Sequence, residues 1–147
     1  MYISVKAIIC HKGKYLLQKR DNKKNIYFPG LWGVFGGNCK KKEKLIGSLK
    51  RELKEELNLN FTNIRKIFTL KIKSKNFEPE RSNHYFLCKL PLNYNKNIIL
   101  NEGCAYGFFN IKKVNNLKII PWDLAILHYH NFTHIKKRKI SPNKLKK

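Results

Sequence analysis

Four of the chain's nine acidic side chains, Glu43, Glu52, Glu55 and Glu56, fall between residues 43 and 56 of an otherwise strongly basic sequence. Glu52, Glu55 and Glu56 are three and four residues apart, so on a helix they project from one side. Like charges at that spacing weaken a helix by a few tenths of a kcal/mol per pair, unless cations or a bound ion offset them. Arg51 and Lys54 supply cations, and a solvated Glu/Lys face is one reading of the pattern. The other is a metal site, because the double glycine Gly36-Gly37 and Glu43 just upstream allow a backbone carbonyl and several carboxylates to converge. Hard divalent cations such as Mg2+ or Mn2+ take oxygen ligands of this kind and bridge to substrate phosphates.

The elements that must hold these residues can be read from periodicity. Leu45, Ile46, Leu49, Leu53 and Leu57 recur at three- and four-residue steps, which predicts a helix over 45–57 with one buried face. Asn58 ends it, a residue that tolerates the left-handed conformation. Before the helix, "ISVKAIIC" and "KYLLQKR" flank the turn "HKGK" and predict a β-hairpin from about residue 2 to 20, with Gly13 at the turn. The aromatic, glycine-rich stretch "DNKKNIYFPGLWGVFGGN" reads as a loop with one short strand at 31–35. After the helix, "IRKIFTLKIK", "HYFLCKL" and "YGFFNI" read as strands separated by the polar loops "SKNFEPERSN" and "NYNKN". Pro121 opens a last helix, "PWDLAILHYHNFTHI", with Asp123 in its first turn favouring the helix dipole. Strands, a helix, more strands and a final helix give an α/β sandwich around a central mixed sheet. The domain runs over 1–135, and "KKRKISPNKLKK" at 136–147 reads as a flexible basic tail.

Composition narrows the setting. A chain of 147 residues suffices for one core, and no apolar run approaches a membrane span, so no membrane partner is expected. No signal peptide is visible at the start, and Cys10, Cys39, Cys88 and Cys104 are widely spaced, which suits reduced thiols in or near the core of a cytoplasmic protein. A net charge of +23 favours phosphate-bearing partners. A codon bias toward Lys, Asn and Ile accounts for it equally well, and the Arg residues favoured in base and phosphate recognition are few. His130 and His134 share helical spacing but more simply sit on a terminal helix face.

The acidic stretch resembles the signature of the Nudix hydrolase family, G-x5-E-x7-R-E-U-x-E-E-x-G-U with U a bulky apolar residue. Gly37, Glu43, Arg51, Glu52, Leu53, Glu55, Glu56 and Leu59 fall on it in register. Asn58 replaces the family's late glycine, and Lys40, Lys41 and Lys42 stand where members commonly carry a glycine and often an acid. "FPGLWGVFGG" and "LNEGCAYGFFNIKKVNNLKIIPWDLAILHY" are similar to segments flanking the motif in other members, so the resemblance covers nearly the whole chain except the tail.

That resemblance implies the Nudix α/β/α sandwich and metal-dependent hydrolysis, by MutT-like pyrophosphohydrolases, of a nucleoside diphosphate linked to another moiety. Glu52, Glu55, Glu56 and the Gly37 carbonyl are then the metal ligands, with Mg2+ or Mn2+ as the ion. Arg51 orients carboxylates by ion pairing and Glu43 supports them. The base is a helix glutamate or a later carboxylate, and Glu102 is preferred over Glu78 and Glu80. Phe28, Trp32, Phe35, Tyr85 and Tyr106 are the aromatics available to stack on a nucleoside base. The leading expectation is a small-nucleotide pyrophosphatase acting on a (d)NTP, an oxidised dNTP, ADP-ribose or a related compound. The alternatives are an RNA 5′-end pyrophosphohydrolase that uses the basic surface and tail, and a catalytically inactive nucleic-acid-binding member.

Overall fold

The computed structural model describes residues 1–135, except the side chains of residues 77, 78 and 135, and the tail expected at 136–147 lies outside the described residues. Strands β1 (Tyr2–His11) and β2 (Lys14–Lys19) form the expected hairpin, with Gly13 at positive φ in its turn. Strands β3 (Trp32–Gly33) and β4 (Phe35–Asn38) follow, so the single short strand expected at 31–35 is two strands broken at Val34. Helix α1 spans Leu45–Leu57, the bounds given by the apolar period, and Asn58 caps it in the left-handed region at φ 57°.

Strands β5 (Ile64–Ser74) and β6 (Phe77–Cys88) make a long antiparallel hairpin. The sequence expectation of a polar loop over 74–83 is corrected here, since most of that segment is strand. Its polar residues line a cleft instead of a core, so the strand lacks the apolar alternation that marks a half-buried sheet face. Helices α2 (Tyr94–Asn97) and α3 (Ile111–Val114) are single turns on either side of β7 (Ala105–Phe109). Helix α4 (Pro121–His130) begins at Pro121 and continues as a π-helical turn over Asn131–Ile135. None of the described helices is long and apolar enough to cross a membrane.

The seven strands form one mixed sheet with the path β3-β2-β1-β6-β5, to which β4 adds on β1 and β7 on β2. β1 is shared along its length. Its first half pairs antiparallel with β4, from Ser4 opposite Asn38 to Ala7 opposite Phe35, and its end pairs with β2. On its other edge β1 runs parallel to β6, from Tyr2 opposite Arg81 to Ile9 opposite Cys88. The sheet therefore forks between β4 and β2.

Two cores flank the fork. On one face Val5, Ala7, Ile9, Phe35 and Phe86 pack against Leu49, Leu53 and Leu57 of α1. On the other Ile8, Tyr15, Leu17, Val34 and Tyr85 pack against Ile126 and Leu127 of α4. This is the α/β/α sandwich that the sequence implies. Within it Asp123 is fully buried, accepting hydrogen bonds from Val34 N (3.1 Å) and Tyr85 Oη (2.8 Å). Its carboxylate thus ties the start of α4 to the break between β3 and β4 and to β6, a role beyond the dipole contact expected from its place in the first turn.

None of the four cysteines is in a disulfide. Only Cys88 is fully buried, while Cys104 is exposed, contrary to the expectation of thiols in or near the core. Burial pushes the Cys88 thiol up to about 12, so it is an inert packing group.

Candidate active site

The acidic helix face meets the sheet at the fork. Glu56 is only 3% exposed, and its Oε2 accepts from Gly36 N at 2.9 Å while Oε1 accepts from Gln18 Nε2 at 3.1 Å. These partners lie on β4 and β2, so one carboxylate bridges the two strands where they separate. Burial raises its pKa from 4.5 to about 7; the Gly36 and Gln18 hydrogen bonds and the charge of Lys6 oppose that rise, and Glu102 adds to it.

One turn earlier Glu52 lies against Gly37. A Cβ built on Gly37 would fall on the Glu52 carboxyl group, so only glycine leaves that carboxylate its place. Gly36 has a different reason to be glycine. Its φ is +133°, and a Cβ there would strike the carbonyl oxygen of Val5 on the neighbouring strand.

Arg51 holds the remaining acids. Its Nε donates to Glu43 Oε1 (2.8 Å), Nη2 to Glu43 Oε2 (2.9 Å), and Nη1 to Glu52 Oε1 (2.7 Å) and Glu55 Oε2 (3.2 Å). The paired guanidinium and the Lys40 amide hold the Glu43 carboxyl down at about 2. One guanidinium thus organises three carboxylates whose mutual repulsion would otherwise oppose the helix. Lys40, Lys41 and Lys42 form the exposed turn before the helix, where the Lys40 amide donates to Glu43 Oε2 and Lys42 has a positive φ.

Glu52 and Glu56 open into a cleft of about 410 Å³. Its floor continues the α4-side sheet face, with Tyr2, Ser4 and Lys6 of β1 beside Arg81 and Asn83 of β6, Ser4 and Asn83 being buried at its base. Tyr27, Phe28, Ile120 and Trp122 wall one side, where Phe28 and Trp122 meet edge to face at 4.9 Å. A second cavity of about 300 Å³ shares Arg20, Glu56 and Glu102 with the first and extends past Gln18, Asp21 and Asn101.

The structure sorts the sequence candidates. Gly37, Glu52, Glu56, Glu102 and Phe28 line the cleft together. Glu55 does not; it is half-exposed beside Arg51. Glu80 is turned away and pairs with Lys73 at 2.8 Å, because Pro79, Arg81 and Asn83 occupy the cleft-facing positions of β6. Phe35 and Tyr85 are fully buried and cannot stack on a base, and Trp32 packs edge to face on Phe109 in the α4-side core. Tyr106 is exposed on β7 outside the cleft lining. Of the five aromatics expected to be available for stacking, only Phe28 lines the cleft, because residue type does not tell which sheet face a side chain takes. His130 is buried, and its Nδ1 is 2.8 Å from Tyr15 Oη, with His134 stacked on its ring. Sequence reasoning missed Tyr2, Lys6, Gln18, Arg20, Tyr27, Arg81 and Trp122. Period-two spacing of Tyr2, Ser4 and Lys6 on β1 was the signal that could have found the floor.

Among the described residues no three His, Cys, Asp or Glu side chains stand grouped as a ready-made metal cage. Arg51 and the Gly36 and Gln18 donors engage the carboxylates instead. The donor set nevertheless fits a hard divalent cation. It is all oxygen, Arg51 engages only Oε1 of Glu52, and the buried Glu56 carboxylate has neutral donors in place of a paired cation.

The NUDIX domain family model matches residues 2–129. The chain belongs to the Nudix family. A Nudix chain is a hydrolase of phosphoric anhydride bonds, and members generally use divalent metals. Solved structures share the Nudix fold. A MutT protein from Methanosarcina mazei Go1 is 21% identical, with a TM-score of 0.69 over 97% of this chain and 95% of its own. The NUDIX domain of Shewanella oneidensis NrtR, in complex with ADP ribose, is 18% identical, with a TM-score of 0.70 over 94% and 88%. The dihydroneopterin triphosphate pyrophosphohydrolase of E. coli is 17% identical, with a TM-score of 0.68 over 91% and 95%. No curated protein matches this Nudix chain in sequence.

Proposed function

We propose that the chain is a metal-dependent nucleotide pyrophosphohydrolase that cleaves a nucleoside diphosphate linked to another moiety in a small nucleotide, such as a (d)NTP, an oxidised dNTP or ADP-ribose. The observation that carries this reading is the convergence of Glu52 and Glu56 on a cleft whose wall holds Phe28 and Trp122. Carboxylates beside an aromatic wall suit a ligand with phosphates at one end and a flat base at the other.

Glu52, Glu56 and the Gly37 carbonyl would hold Mg2+ or Mn2+, which when bound supplies charge for the diphosphate and lowers the pKa of water. The chain's own residues do the rest. Arg51 fixes Glu52 through Nη1 and keeps Glu55 and Glu43 from repelling it. Gln18 and the Gly36 amide fix both oxygens of Glu56, so that its free lone pairs face the cleft. Lys6 and Arg20 bring positive charge to the phosphate end. Glu102, exposed where the two cavities meet, would take a proton from attacking water. Phe28 and Trp122 hold the base. Four cysteines outside any disulfide suit a cytoplasmic setting.

The test is hydrolysis of a panel of dNTPs, oxidised dNTPs, ADP-ribose, nucleotide sugars and dinucleoside polyphosphates with Mg2+ or Mn2+, read by chromatography. Glu56→Gln and Glu52→Gln should each lose turnover by at least about a hundredfold while Trp122→Ala chiefly raises KM. Full activity in both Glu variants, or silence of the folded, metal-loaded wild type across the panel, would sink this reading.

A further inference from the structure

The C-terminal end of α1 is closed from outside the helix. The last four carbonyl groups of a helix find no partner within it. In α1 the first of them, Lys54 O, accepts from the cap residue Asn58 (3.0 Å), and the other three are taken by the segment that leads into β7. Leu57 O accepts from Ile99 N (3.1 Å), Glu56 O from Asn101 N (3.0 Å) and Glu55 O from Asn101 Nδ2 (2.9 Å). Asn101 thus clasps two consecutive carbonyls, both belonging to helix glutamates. A carbonyl only accepts, so the side-chain bond needs an amide at position 101, and an ionised Asp of the same shape has no hydrogen to give.

The next residue is Glu102, and the chain is fixed again directly after it. Gly103 has a φ of +79°, and a Cβ there would stand 2.7 Å from Lys19 O and 3.2 Å from Gln18 Oε1. Cys104 N donates to Lys19 O at 2.9 Å, and β7 then runs along β2 from Ala105 opposite Lys19. Glu102 is therefore a single residue between two anchors. Both anchors refer to Glu56: Asn101 N holds its carbonyl, and Gln18, which Gly103 lies against, holds its Oε1. Glu56 and Glu102 line both cavities. Among the described residues no hydrogen bond or ion pair engages the Glu102 carboxylate, so its backbone sets its place. A base must stand within hydrogen-bond reach of the proton it takes, and an exposed carboxylate on a loose loop would rarely do so.

We propose that Asn101 is a positioning residue that holds Glu102 in register with Glu56, by clasping the end of the helix that carries Glu56. This rests on the reading above, in which Glu102 takes the proton of the attacking water, and deepens it: the base is placed by anchors on α1 and β2, and Asn101 acts on turnover through Glu102.

The test is a double-mutant cycle on the full chain, with steady-state hydrolysis of the best substrate of the panel in Mg2+ or Mn2+. Asn101→Ala should lower kcat about tenfold and leave KM within about twofold, since Asn101 acts on the reacting centre and not on substrate binding. Asn101→Asp, which keeps the shape and loses the donor, should lower kcat at least as far. In a Glu102→Gln background Asn101→Ala should change kcat by less than about twofold, the non-additivity of two residues that act as a unit. A residue that only stabilised the helix would lower kcat equally in both backgrounds. Gly103→Ala, which strains the second anchor, should repeat the pattern of Asn101→Ala. Hydrogen exchange of the metal-free protein reads the anchors without turnover: the Asn101 and Cys104 amides should be protected in the wild type, and Asn101→Ala should speed exchange over residues 101–104 while Leu49 to Leu57 keep their protection. An undiminished kcat in folded Asn101→Ala, an equal fall in both backgrounds, full activity in Glu102→Gln, or unprotected Asn101 and Cys104 amides in the wild type overturns the proposal. The two readings fail separately. Hydrolysis that needs Glu56 but is indifferent to Asn101 leaves the enzyme without this device, whereas silence of the folded, metal-loaded wild type across the panel removes both.

Discussion

The two adjacent glycines at the fork should respond to the same substitution in opposite ways. Gly36→Ala puts a Cβ into the Val5 carbonyl oxygen, a strand backbone paired on both sides, at a φ of +133° that alanine rarely adopts. Backbone strain of about 1–3 kcal/mol adds to overpacking of about 1–3 kcal/mol, a total of roughly 2–6 kcal/mol. For a chain of this length that lowers Tm by on the order of 10 °C. Gly37→Ala meets only the far end of the Glu52 side chain, and its backbone is not in the left-handed region. Glu52 can swing away, giving up one partly exposed contact with Arg51 worth about 0.5–1 kcal/mol, while the stiffer unfolded chain returns about as much. Its Tm should stay within about 3 °C of the wild type. Its activity should fall by about a hundredfold, since the carboxylate is displaced by more than an ångström. Differential scanning calorimetry and steady-state hydrolysis, run on both variants, decide the matter. If Gly37→Ala unfolds as early as Gly36→Ala, or keeps wild-type turnover, the assignment of Gly37 to the site and Gly36 to the fold is wrong.

Glu56 predicts a pH dependence in metal-free protein. Its folded pKa lies near 7, above the ordinary 4.5, so folding favours the protonated form and stability falls as pH rises from 4.5 through 7, by roughly 3 kcal/mol at about 1.4 kcal/mol per unit. Urea midpoints measured with EDTA should show this slope, Glu56→Gln should flatten it, and a flat wild-type profile would contradict the burial argument. Mg2+ binding below pH 7 should release a proton, read by calorimetry in buffers of different ionisation enthalpy. His130 shifts the other way. Burial against Tyr15 lowers it to about 4, so the folded state prefers the neutral ring, and stability is lost as pH falls from 6.5 toward 4. Replacing it with Gln should reduce that acid loss, and an unchanged slope would assign the loss to other groups.

How legible the molecule was in its sequence depended on whether a residue's role follows from local period or from long-range packing. The bounds of helix α1 were legible to the residue, because its apolar positions share one 3.6-residue phase and Asn58 supplies the left-handed stop, but Ile46, expected on the buried face, is exposed. The same spacing put Glu52, Glu55 and Glu56 on one side of the helix, but only Glu52 and Glu56 line the cleft, whereas Glu55 turns out half-exposed beside Arg51. β6 was half legible: Tyr85 to Cys88 alternate between two cores, but Pro79, Arg81 and Asn83 alternate into a cleft, and a cleft imposes no apolar signature. Phe35 and Tyr85 were misplaced because nothing local distinguishes an aromatic side chain in a core from one in a wall. Asp123 reads locally as a first-turn acid. Only the approach of Val34, between β3 and β4, and of Tyr85 on β6 makes it an internal tie.

The parallel seam between β1 and β6 also has a history in the folding of the chain. The β1–β2 and β5–β6 hairpins can each form from near neighbours, but Tyr2 and Arg81 meet only when those two pieces dock and a loop holding half the molecule closes. Every residue of the cleft floor lies on that seam. The substrate surface is thus assembled by the slowest, most non-local contacts, and an intermediate with both hairpins complete would still have no floor. A nucleotide that spans the floor therefore acts as a staple across the docking interface, and its presence should slow the chain's unfolding more than it speeds its folding.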